Sequence, residues 1–156
     1  MVTKKQPYDE RDDIEKLESQ WVKRAGLSER KDHSAAIVRM ATAAEIAANI
    51  AVRNEFALHG TFTPIQIDSF LTWANGLDGK IKRLLLPLRY KGNAKDKEYL
   101  RLQTAAGNIN SHRNKIVHRG EFRSAKVERE VQAEAQAFIE ELVGFYHTRY
   151  KLPEDY

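Results

Sequence analysis

An all-α fold, a compact bundle of about five to six helices, is what this sequence predicts, and three observations predict it. Apolar residues recur at three- and four-residue spacing along most of the chain, as in Ile14, Leu17, Trp21 and Val22. Helix-start and helix-stop residues separate those periodic stretches. No pair of alternating segments flanks a hairpin turn, so nothing reads as a strand pair.

The first amphipathic helix is expected over residues 9–25, with Gly26 as its stop. Asp32 or Ser34 can cap the second, which runs to about His59. From Ala35 to Ala51 it is mostly alanine with Ile37, Met40, Ile46 and Ile50. Small residues let neighbouring helices approach closely, so this long alanine-rich helix should be central. Its polar residues Thr42, Glu45, Asn49 and Arg53 make one narrow stripe, suited to solvent, a polar cleft or a subunit partner, with solvent the usual case. Thr63 and Pro64 open a third helix as cap and first-turn proline, and Asn75-Gly76 stops it. A short helix over roughly 78–88 should break at Pro87. Residues 89–96 form a basic loop, and a fifth helix starts near Ala94. Ser124 caps a long last helix with Val127, Val131, Ala135, Phe138, Leu142 and Phe145 on one stripe.

The 156 residues suit a single domain, residues 1–156, with residues 1–8 as a candidate disordered N-terminus. There is no cysteine, which excludes disulfides and thiolate chemistry. The polar N-terminus does not read as a signal peptide. No apolar run is expected to reach membrane-spanning length. These features together predict a cytoplasmic protein with no membrane partner.

Charge is distributed unevenly. Residues 1–79 hold 10 Lys/Arg against 12 Asp/Glu, residues 80–129 hold 14 against 4, and residues 130–156 hold 2 against 6. A basic block of this kind is the electrostatic footprint of a nucleic-acid partner, although a merely solvated basic surface has the same composition.

Inside the block, residues 112–121 read His-Arg-Asn-Lys-Ile-Val-His-Arg-Gly-Glu. The Arg113 guanidinium can clamp a phosphate through two hydrogen bonds. The His118 imidazole can move a proton near neutral pH. Together they suffice in principle for metal-free cleavage of RNA, whose 2′-hydroxyl lies beside the scissile phosphate. On an ideal helix the two would stand roughly 140° apart. Gly120 suggests that the helix ends near His118 and frees the imidazole to swing. Asn110, Asn114 and His118 share a face, so Asn114 can orient the ring. The pattern occurs a second time, outside the basic block, as Arg53, Asn54 and His59, where it reads as the polar end of a helix before Gly60.

An all-α domain with Arg-Asn-x-x-x-His at the end of its penultimate helix resembles the HEPN superfamily, the higher eukaryotes and prokaryotes nucleotide-binding domains. The resemblance covers most of the chain in architecture and rests on Arg113, Asn114 and His118 in motif. It implies a metal-independent endoribonuclease, a hydrolase working as a homodimer in which two motifs form one cleft, and it implies no cofactor and no metal. Arg113 and His118 would be catalytic, Asn114 supporting, and Glu45 would correspond to an acidic residue often found on an earlier helix. Many members are toxins with a cognate antitoxin protein, or agents of phage defence. Others are catalytically silent modules that bind a nucleotide, RNA or a protein partner, and that is the alternative reading here. For RNA backbone contacts the basic block offers Arg89, Lys91, Lys95, Lys97, Arg119 and Arg123.

Overall fold

The computed structural model describes residues 6–154, and every described helix is α apart from one 3-10 turn and one π segment. After the 3-10 turn Tyr8–Glu10 come α1 (Asp13–Glu29), α2 (His33–His59) and α3 (Pro64–Trp73). A continuous helical segment follows, made of α4 (Gly76–Gly79), a π segment (Lys80–Leu85) and α5 (Leu86–Tyr90). The two long helices α6 (Lys97–Arg119) and α7 (Ala125–Gly144) complete the bundle. No strand occurs among the described residues, and the all-α expectation holds.

The alanine-rich helix is central, as its composition demands. Ala36, Ala43, Ala44, Ala47, Ala48 and Ala51 are fully buried, and α2 packs chiefly on α1 and α7. Leu17 and Trp21 of α1, Leu102, Ala106 and Ile109 of α6, and Val131, Ala135, Phe138 and Leu142 of α7 close the core around it. The small side chains of α2 are therefore consumed by packing within one chain. By length and composition α2 could cross a membrane, which corrects the expectation that no apolar run approaches that length. Its most apolar stretch is 67% buried within the bundle, the pattern of a core helix.

Caps follow the sequence closely. Asp32, not Ser34, caps α2 by accepting from the Ala35 N–H, while the Ser34 hydroxyl accepts from the Arg123 N–H. Thr63 and Gln66 form a reciprocal capping box on α3, and Ser124 caps α7 through the Val127 N–H.

Four boundaries differ from expectation, each for a local reason. Residues 9–12 lie outside α1, which begins after its Asp12 cap and runs through Gly26 to Glu29. A glycine inside a helix costs only about 1 kcal/mol relative to alanine, and the stop is supplied by Lys31 in the left-handed region instead. Pro87 does not end its helix. The preceding turn widens into π register, with the Leu86 N–H bonding to the Ile81 carbonyl, and the proline is accommodated at the start of α5. The fifth long helix starts at Lys97 rather than Ala94, because Asp96 caps the Tyr99 N–H. Residues 1–5 of the expected N-terminal tail lie outside the described residues; Tyr8 belongs to the 3-10 turn and its hydroxyl accepts a hydrogen bond from Gln20.

A buried polar cluster ties the far end of α2 to the C-terminal segment. Glu55 accepts from Arg89 at 3.3 Å and from the Tyr146 hydroxyl at 2.7 Å. Burial, reinforced by Glu55, pushes the Tyr146 hydroxyl far above its ordinary range, so it remains a donor.

Candidate functional site

The motif occupies the last turns of α6, and that helix is regular to its end. It runs through His118 to Arg119, where Gly120 adopts the left-handed conformation. The Gly120 N–H bonds to the Ile116 carbonyl and the Glu121 N–H to the Lys115 carbonyl. With Gly120 left-handed, the first of these is the αL closure of a helix end, and the second adds a wider turn behind it. His118 therefore does not project from a frayed end, as the sequence suggested. Within one chain Arg113 and His118 keep the roughly 140° separation of an ideal helix, and they face different surroundings.

Viewed down the axis, one arc of α6 carries Arg113, then Val117, then Asn110 and Asn114, then His118, spaced at about 100° per residue. Arg113 lies at the edge nearest α2. Its Nη1 stands 3.9 Å from Glu45 Oε2, and its buried Nε has no hydrogen-bond partner. Glu45 Oε1 pairs at 2.8 Å with Lys80 from the π segment. The polar stripe of α2 thus faces neighbouring side chains rather than open solvent, with Thr42, Glu45, Asn49 and Arg53 all half-buried.

At the other edge of the arc, Asn110, Asn114 and His118 line an open groove of about 390 Å³. Gln103, Gly107, Ser111, Lys115 and Arg119 continue it along α6. Asp78 and Lys82 form the opposite wall and pair with each other at 3.0 Å. His118 is exposed, and no hydrogen bond joins it to Asn114 in this conformation. The groove has cationic side chains on both walls and an imidazole at one end, a suitable lining for a polyanion backbone.

His112, next to Arg113, faces the other flank of α6. Burial, followed by the nearby cations Arg123 and Lys115, lowers its pKa, so the ring favours the neutral form. Its Nδ1 is buried without a hydrogen-bond partner.

The second copy of the motif has separate structural partners. Arg53 bridges Asp13 of α1 at 3.1 Å and Asp68 of α3 at 2.8 Å, and His59 lies 3.5 Å from Glu55. Arg53 is a strut between three helices.

The proposed RNA contacts divide in the same way. Lys91, Lys95, Lys97 and Arg119 are exposed. Arg89 is committed within the fold: it pairs with Glu55 and Glu98 and lies 3.9 Å from the Phe145 ring centroid. Arg123 is half-buried, 3.6 Å from Glu121. Two large apolar side chains flank the motif, Val117 at 53% exposure and Phe122 at 92%.

Lys80, Lys82 and Asp78 are the site neighbours that the sequence did not single out. The fold and this region define a helical protein with a cationic groove ending in an imidazole. Comparison with protein-family models, with curated proteins and with solved structures gave no match.

Proposed function

We propose that this chain is a metal-independent endoribonuclease of HEPN type, acting at a composite site built by two copies. The observation that carries the reading is the arc of α6, which presents Arg113, Asn114 and His118 around an exposed valine at the edge of a cationic groove. Each chain offers one such imidazole and one such guanidinium, on separate sides of the arc. Cleavage by 2′-hydroxyl attack needs a base, an acid and a stabiliser of developing charge. A two-fold pairing about Val117 and Phe122 supplies two of each by using the same patch twice.

In the reaction, the 2′-oxygen bonds to phosphorus as one imidazole takes its proton. The bond from phosphorus to the 5′-oxygen breaks, and a protonated imidazole supplies the leaving oxygen with a proton. Arg113 holds the non-bridging oxygens. The products are a 2′,3′-cyclic phosphate and a free 5′-hydroxyl. RNA incubated with the purified protein in excess EDTA should yield fragments with those two ends. A toxin or phage-defence role, with an antitoxin as partner, is the biological setting that fits such an activity.

Assembly provides a separate test. Light scattering at micromolar concentration should report about twice the 17.9 kDa chain mass. Phe122→Asp should shift the protein towards monomer with its helix content intact, because a buried, unpaired charge at an interface is strongly unfavourable. A wild-type chain that remains monomeric would contradict the composite site. The second reading, a silent module that binds RNA without cleaving it, keeps the same groove; the exposed cations Lys91, Lys95 and Arg119 serve it equally well.

A further inference from the structure

Lys80 is the most deeply placed cation near the motif, with 5% of its surface exposed. An ammonium at that depth requires an anionic partner, since an isolated buried charge is far too costly. Glu45 supplies it through Oε1 at 2.8 Å. The remaining oxygen, Oε2, is the one facing Arg113, at 3.9 Å. That separation gives attraction without a hydrogen bond. The guanidinium is drawn to one position but not closed into a bidentate pair, and its donors remain unused by Glu45. The backbone explains why Lys80 reaches this place: it begins the π segment, on the same side as the buried Ile81 and Leu84.

From this we infer that Lys80 is a positioning residue, holding Glu45 so that the carboxylate aims Arg113 without neutralising it. The inference rests on Arg113 being the phosphate contact of the reading above. Without Lys80, Glu45 has no competing cation and closes onto Arg113. A fork–fork pair of that kind competes directly with a phosphate for the same donors.

The experiment measures binding of a short RNA in a His118→Ala background, which leaves the RNA uncut. It also follows the Arg113 Nε–H signal by NMR in the protein alone. Lys80→Met should weaken RNA binding about tenfold, the scale of losing one charge-assisted contact, and should shift the Arg113 signal. Adding Glu45→Gln to Lys80→Met should restore affinity to within about twofold of the background, because the competing carboxylate is gone. A general packing role for Lys80 would not be rescued by a second change. Lys80→Gln carries the same comparison if the methionine variant does not fold. Unchanged affinity and an unchanged Arg113 signal in the Lys80 variant would overturn the inference, as would failure of the double variant to recover. If Arg113→Ala leaves RNA affinity intact, the phosphate-contact reading fails first and takes the inference with it.

Discussion

His118→Ala is expected to reduce RNA cleavage by about 10²–10⁴-fold, the usual cost of losing a general acid or base. Fold and RNA affinity should stay close to wild type, because His118 is exposed and makes no hydrogen bond among the described residues. In the proposed composite site, the substitution would remove both imidazoles from the shared cleft at once. Arg113→Ala should lower binding as well as rate, since it would remove the proposed phosphate clamp. His59→Ala serves as the internal control. It alters the second motif copy, where His59 lies beside Glu55 at a helix end, and should leave cleavage unchanged. Equal loss of activity in His59→Ala and His118→Ala would contradict the assignment.

The second large effect is on stability. Arg89→Ala should destabilise the protein by about 2–3 kcal/mol, below the range for breaking a fully buried pair because Arg89 is itself partly exposed. The substitution strips Glu55, which is buried, of its arginine partner and removes the cation lying over Phe145. The Tyr146 hydroxyl then remains as its close donor, at 2.7 Å. Thermal or urea unfolding measures the loss. RNA affinity below the melting transition should change little, in contrast to charge reversal of the exposed Lys91 and Lys95. A stable Arg89→Ala protein with weakened RNA binding would return Arg89 to the interface and remove it from the core.

Much of the fold could be read from the sequence because the governing signals are local. The alanine run of α2, the Thr63-Pro64 start and the Ser124 cap each act within one or two turns, and each appears where it was expected. The misread boundaries share a different origin. Gly26 and Pro87 look like breakers in isolation, yet α1 runs on to a stop at the left-handed Lys31 and a π turn before Pro87 carries its helix through. Partner choice was the least legible part. Sequence spacing could not tell that Arg53 spans Asp13 and Asp68 while Arg113 keeps free donors, because those carboxylates come from distant segments. Arg89 is a similar case, since its partner Glu55 lies 34 positions away. Lys80 did leave a trace, as a lysine set on the apolar stripe of Leu77, Ile81 and Leu84. A charge in such a position calls for a buried partner, and Glu45 on the polar stripe of α2 is that partner.

A defined RNA that wild-type protein cuts at one place is compared, in excess EDTA, with the same RNA carrying a single 2′-deoxy nucleotide at the scissile position. The all-ribose strand should be cleaved to a 2′,3′-cyclic phosphate and a 5′-hydroxyl, with no cleavage at the substituted position. Cutting of the deoxy substrate at that position, or activity that appears only when Mg²⁺ is added, would contradict the proposed mechanism.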